Sequence, residues 1–207
     1  MKKFSEYIKE EKEYQDGALT VFDIDDTLFH TTAQIAVVKH GKKIKDLTNQ
    51  QFNTYKLGDG ESFDYGQFRD AAKFNTESKP IGAMLNKAKL ILKNSERNPN
   101  SKVIIVTARD DFDNKELFLD TFRKHGFDID KVRVERAGKI NDVSDIAFKK
   151  VIIIRNYLNT KRFKRIRLFD DSMTNLKAFL KLQTEFPMVK FEAYFASHDG
   201  TIKTVKG

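Results

Sequence analysis

From residue 81 to residue 196 the chain keeps one rhythm, in which a short apolar run is followed by an amphipathic stretch. Ile81 to Ser95 places Ile81, Leu85, Ala88 and Leu92 at steps of 4, 3 and 4, the spacing of one helix face. Lys102 to Val106 (KVIIV) is apolar without alternation, as suits a strand buried on both sides. Asn114 to His125 predicts a helix stopped by Gly126, and Lys131 to Glu135 a strand. Asp145 to Leu158 predicts a helix with Ala147, Val151, Ile154 and Leu158 on one face. Arg165 to Phe169 predicts a strand, Ser172 to Phe186 a helix, and Phe191 to Ala196 a strand. Upstream, Ala18 to Phe22 (ALTVF) belongs to the same strand type. Strands and helices alternating over short connections specify an α/β fold with a parallel sheet covered on both faces. Such sheets bind ligands beyond the C-terminal ends of their strands.

Two segments break the rhythm. Residues 3 to 14 suggest a charged amphipathic helix ending at Gly17. Residues 30 to 80 look like an insertion after the first strand, giving a core of 1–29 and 81–207 and a small cap-like piece of 30–80. Within it, 34 to 38 and 43 to 47 predict a hairpin around Gly41. Thr48 to Leu57 and Tyr65 to Phe74 predict helices on either side of a Gly58-Asp59-Gly60 turn.

The polar residues fall in a pattern that these strands organise. ALTVF runs into Asp23, Asp25 and Asp26, KVIIV into Thr107 and Arg109, and RIRLF into Asp170 and Asp171. One polar strand ending is ordinary, because Asp and Thr start loops and cap helices. Three at the same edge gather up to five carboxylates, which repel and lose hydration unless a cation joins them. Mg²⁺ is the natural partner of such oxygen ligands. Asp23 and Asp25, two residues apart, point the same way in extended backbone. A carboxylate nucleophile, a second carboxylate to move protons, a hydroxyl, a lysine and Mg²⁺ are the equipment of phosphoryl transfer.

The order DIDDT (23 to 27), IIVTAR (104 to 109), a helical lysine near 149 and LFDD (168 to 171) resembles the four motifs of the haloacid dehalogenase (HAD) superfamily. The resemblance covers roughly residues 18 to 196 and implies a HAD-like Rossmannoid three-layer sandwich. The implied roles make Asp23 the nucleophile that forms an aspartyl-phosphate and Asp25 the general acid and base. Mg²⁺ would be held by the Asp23 side chain, the Asp25 backbone carbonyl, Asp170 and Asp171. Thr107 resembles the hydroxyl that binds a phosphoryl oxygen, and Thr27 orders the first motif's loop at the substrate side. Arg109 stands where some nucleic-acid end phosphatases of the superfamily keep a functional arginine; a surface ion pair explains it equally well. Lys149 and Lys150 lie about 100° apart on a helix, so one faces the site. Lys149 is favoured, Lys150 follows and Lys139 is third. Asp26 stands where the family often has Gly, and a loop carboxylate bonding nearby backbone accounts for it.

Composition narrows the remaining classes. The chain has no cysteine, which removes thiolate metal sites and Cys nucleophiles and agrees with a reducing, cytoplasmic setting. No apolar run suggests a membrane span, and MKKFSEYIKEEKEYQDG is too charged for a secretory signal. The four histidines look scattered, and His198 in a tail turn looks without a partner histidine. A net charge of +8 fits an anionic partner or a solvated lysine-rich surface. The basic run 161 to 167 is expected at the edge opposite the site, as a solvated turn. Tyr55, Phe63, Tyr65 and Phe68, interleaved with lysines, could stack bases or could form a small core under the hairpin. No P-loop signature occurs. The expectation is a Mg²⁺-dependent phosphomonoesterase acting on a phosphorylated small molecule or nucleotide. A nucleic-acid 3′-end phosphatase and a non-catalytic nucleic-acid or protein binding module are the alternatives. The Cys-free, Lys/Asn/Phe-rich make-up is also similar to small HAD proteins of tailed phages.

Overall fold

The computed structural model describes residues 14–52, 54–140 and 145–206. Most of the expected amphipathic helix at 3–14 lies outside these residues. In chain order the first strand is β1 (Gly17–Phe22), followed by the two-residue β2 (Phe29–His30). The insertion contributes β3 (Ile35–Lys39), β4 (Lys42–Leu47), α1 (Asn49–Phe52), β5 (Glu61–Asp64), α2 (Ala71–Glu77) and β6 (Lys79–Pro80). The core resumes with α3 (Gly82–Ser95), β7 (Lys102–Thr107), α4 (Lys115–Arg123), β8 (Arg133–Arg136), α5 (Ile146–Leu158) and β9 (Phe163–Asp170). It ends with α6 (Met173–Lys181), β10 (Lys190–Ala196) and β11 (Ile202–Val205).

The central sheet has six strands in the order β11-β10-β9-β1-β7-β8. All neighbours pair in parallel except β10 and β11, which are antiparallel. Strand periodicity divides the core into two layers. Leu19, Val21, Ile104, Val106, Ile166 and Leu168 face α5 and α6, where Val151, Ile154, Leu158, Leu176 and Phe179 cover them. Phe22, Val103, Ile105 and Phe169 face the other way, under Leu85, Ala88, Phe118 and Phe122 of α3 and α4. The result is a three-layer α/β sandwich. The chain builds outward from β1 to β7 and β8, then crosses back to β9 and β10 on the other side of β1. That reversal puts a crevice at the C-terminal ends of β1 and its neighbours, where doubly wound sheets bind ligands.

The insertion leaves and rejoins the core through β2 and β6, which pair Phe29 with Pro80 and His30 with Lys79. Its hairpin turns at His40 and Gly41, both at positive φ (50° and 74°), as a tight two-residue turn requires. Several expectations here are corrected. The helix expected over 48–57 is a single turn, and β5, which the sequence did not announce, completes a three-stranded sheet in the order β4-β3-β5. The helix expected over 65–74 splits into a 3₁₀ turn (Gly66–Phe68) and α2, because the Asp70 side chain caps the new start by accepting from Lys73 N at 2.7 Å. Ala33, Ile35, Val37, Leu47 and Phe68 make a small core, with Phe52, Tyr55 and Phe63 packed against it. In the tail, residues 202–205 form the edge strand β11. The basic run 161–167 is strand from residue 163 on rather than the solvated turn expected, with Arg165 hydrogen-bonded to Glu192 at 2.8 and 2.9 Å, and it occupies the end of β9 away from Asp170. Among the described residues no helix is long and apolar enough to cross a membrane.

Candidate active site

Because β1 and β9 are neighbours, the residues that follow them meet. Asp23 N donates to Phe169 O at 3.0 Å, which keeps the two strand ends in step. The chain then turns sharply. Backbone N–H groups of Thr27, Leu28 and Phe29 converge on the Ile24 carbonyl at 3.3, 2.9 and 3.0 Å. Asp26 N donates to Phe29 O at 2.8 Å. The turn holds Asp26 at φ 56°, a left-handed conformation that Asp tolerates better than most residues.

Asp23, Asp170 and Asp171 each bring a carboxylate oxygen to one place, all within 4.8 Å of one another. Lys150 reaches into them from α5. Its Nζ donates to Asp170 Oδ2 at 2.8 Å and lies 2.9 Å from Asp23 Oδ1. The second contact is an ion pair at hydrogen-bonding distance, but it leaves the buried Asp23 Oδ1 without a well-formed hydrogen bond. Asp170 is fully buried and well held. Its Oδ1 accepts from Ser172 N and Asn175 Nδ2, both at 2.9 Å, and Asn175 also reaches Oδ2 at 3.1 Å. Asn175 is a positioning residue that sequence reasoning missed. Its signal was the Ser172 cap, which starts α6 directly after the acids and sets Asn175 on the first turn.

The electrostatics of this cluster are unbalanced. Burial pushes the Asp23 carboxyl up to about 7; Lys150 opposes the shift, and Asp170 and Asp25 reinforce it. Burial also pushes Asp171 up to about 9, with Asp170 and Asp23 adding to the effect. Burial works against the Lys150 ammonium, but Asp170 and Asp23 outweigh it and hold the group above its ordinary value. One ammonium thus faces three carboxylates in a desolvated space. The donor set is all oxygen and includes an acceptor without a well-formed hydrogen bond, which suits a hard divalent cation.

Lys150, not Lys149, faces the cluster, which corrects the expectation that favoured Lys149. Lys150 is 2% exposed, whereas Lys149 is one step around the helix and only half-buried. Lys139, the third candidate, pairs with Asp111 at 2.5 Å instead.

Arg109 is likewise not a surface ion pair. It is 2% exposed and grips Asp25 with both ends of its fork, Nε to Oδ2 at 3.0 Å and Nη2 to Oδ1 at 2.7 Å. Nη1 donates to Phe68 O at 2.9 Å and Nη2 to Thr31 Oγ1 at 3.3 Å. The guanidinium lies 4.6 Å from the Phe74 ring centre and 5.1 Å from that of Phe68. Four of the five Arg109 N–H donors are therefore engaged within the protein. Thr107 is buried at the end of β7, where its Oγ1 accepts from Arg109 N at 3.2 Å. Thr27 is also sealed from solvent, with its hydroxyl lacking a hydrogen-bond partner, so it packs inside the loop rather than lining a surface.

Beside this cluster an open cleft of about 460 Å³ is lined by Thr31, Thr32, Gln34, Thr48, Asp26 and His198. Asp26 borders both, since its charge also acts on Asp171. The histidines are not all scattered: the His30 and His198 rings lie 3.9 Å apart, correcting the expectation that His198 lacks a partner.

No family profile matches the chain, and no curated protein matches it. Among solved structures, it is similar to the HAD domain of the effector protein Lem4 from Legionella pneumophila, at 11% identity and a TM-score of 0.47. That alignment covers 86% of this chain and 85% of the other. An inactive mutant of the same domain aligns with the same identity and score, over 86% and 84%.

Proposed function

We propose that the chain is a Mg²⁺-dependent phosphomonoesterase working through an aspartyl-phosphate on Asp23. The observation that supports this reading best is the convergence of Asp23, Asp170 and Asp171 on the Lys150 ammonium, with an Asp23 oxygen left without a well-formed hydrogen bond. Asp23, Asp170 and Asp171 would hold the cation, which supplies charge neutralisation to the phosphoryl oxygens.

The protein's own groups then divide the work. Lys150 offsets the negative charge that gathers around Asp23 as phosphate approaches. An Asp23 carboxylate oxygen attacks phosphorus while the bond to the leaving oxygen breaks. Asp25, an ionised carboxylate in the grip of Arg109, would relay the proton of the monoester monoanion to that oxygen, then take one from the water that cleaves the Asp23–phosphorus linkage and frees inorganic phosphate. Arg109 fixes the direction of the Asp25 carboxylate and is a positioning residue. The neighbouring cleft, walled by hydroxyl and amide groups, has the size of a small-molecule site, which favours a phosphorylated small molecule with a polar leaving group.

The test is phosphate release from p-nitrophenyl phosphate, nucleoside monophosphates and a 3′-phosphorylated oligonucleotide, with Mg²⁺ or with chelator. The expected result is Mg²⁺-dependent turnover that Asp23→Asn abolishes and Asp25→Asn lowers by about 10²- to 10⁴-fold. Folded protein that turns over none of them with Mg²⁺ would sink the proposal, as would an Asp23→Asn variant of undiminished activity. Salt-sensitive oligonucleotide binding without turnover would favour the binding-module reading instead.

A further inference from the structure

A second group of metal-ligating side chains lies apart from Asp23, Asp170 and Asp171. Asp26 sits in the turn after β1, His30 in β2, and His198 in the turn between β10 and β11. Each offers one ligand atom, and the three atoms lie within 4.8 Å of one another. Asp26 Oδ1 is 3.8 Å from His30 Nδ1 and 3.9 Å from His198 Nδ1. Around a tetrahedral zinc ion with bonds near 2.1 Å, ligand atoms come about 3.4 Å apart, so the two gaps to Asp26 need to close by only about half an ångström, and the gap between the histidine nitrogens, within 4.8 Å, closes as His198 moves in. His198 stands on a turn with its side chain 68% exposed, which leaves it room to move.

Two further observations point to a ligand. His30 Nδ1 is buried, and the Asp26 carboxylate it faces stands at 3.8 Å, too far for a normal hydrogen bond. The His30 and His198 rings also approach to 3.9 Å, a contact that two imidazolium cations would resist. Imidazole nitrogens beside a carboxylate are a donor set for a borderline metal, whereas the all-oxygen cluster nearby suits a hard one.

We infer that Asp26, His30 and His198 form a site for a divalent transition-metal ion of the zinc class, distinct from the cluster around Asp23. An ion there ties the turn between β10 and β11 to the loop that carries Asp23 and Asp25, and it stands at the rim of the cleft that His198 and Asp26 line. The site does not depend on the protein being a phosphatase.

The experiment is a Zn²⁺ titration of the full chain, competed against a chromophoric chelator in excess Mg²⁺, with histidine ring signals followed by NMR. One equivalent of Zn²⁺ should bind and shift the signals of His30 and His198. His198→Gln, on an exposed turn, should weaken it at least tenfold, and Asp171→Asn should leave it unchanged. Absence of Zn²⁺ binding to the wild type would overturn the inference. So would equal affinity in His198→Gln, or loss of the bound equivalent in Asp171→Asn, because the metal would then belong to the other cluster.

Discussion

Lys150 shows how much a single position on a helix decides. Among the described residues it is the one cation inserted among Asp23 and Asp170, so removing it leaves buried carboxylates without their countercharge. Lys150→Met is expected to cost about 3–5 kcal/mol of stability and to remove any activity, whereas Lys149→Met should stay within about 0.5 kcal/mol. Urea unfolding of the two variants separates them, and equal effects would mean that α5 is turned differently. The choice was legible in the sequence, although the adjacent pair concealed it. Position 150 lies three residues after Ala147 and four before Ile154, on the apolar stripe that packs against the sheet, and position 149 does not. Arg109 was harder to read. Its aromatic and carbonyl partners, Phe68 and Phe74, come from the insertion, and nothing in IIVTAR announces contacts some 40 residues away.

The elements differ in how openly they declare themselves. Strands β1 and β7 are buried on both faces and appear as apolar runs of the right length, whereas β9 (FKRIRLFD) is buried throughout only towards its end, where Leu168 and Phe169 lead into the acids. The insertion's β5 (ESFD) alternates between half-buried and exposed positions and carries acids, so hydropathy hides it. β11 (IKTV) is an edge strand whose pairing with β10 supplies what its composition lacks. The short 3₁₀ turn after β8 makes a more demanding contact. A Cβ added to Gly138 would stand 2.5 Å from Ala108 O and 2.7 Å from Asp110 N, against the backbone segment that carries Arg109. Gly138→Ala should therefore destabilise by about 1–3 kcal/mol and lower turnover, because that backbone must shift. Gly82→Ala, where a Cβ meets nothing within 4 Å, is the matched control and should be neutral or mildly stabilising. Identical melting curves for the two variants would refute the close approach.

At the scale of the whole molecule, the acidic cluster links folding to pH and, on the proposed function, to metal. Asp23 and Asp171 have carboxyls raised from 3.8 to about 7 and about 9, so the metal-free folded protein holds protons that the unfolded chain releases. Their contribution to stability is present below about pH 4 and is lost as pH rises through about 7 and then about 9. With chelator, the melting temperature of the wild type relative to Asp171→Asn should fall between about pH 5 and about pH 9. Mg²⁺ should remove that fall, because cation binding needs the deprotonated carboxylates and strengthens as protons leave. A difference that rises with pH in chelator, or that Mg²⁺ does not alter, would contradict the unbalanced charge of the cluster. One last consequence belongs to Arg109, whose fork holds Asp25 while its other donor and its flat face hold Phe68 and Phe74. Moving the insertion aside would strip that guanidinium of its Phe68, Phe74 and Thr31 contacts, so the direction in which Asp25 points depends on how the insertion is seated.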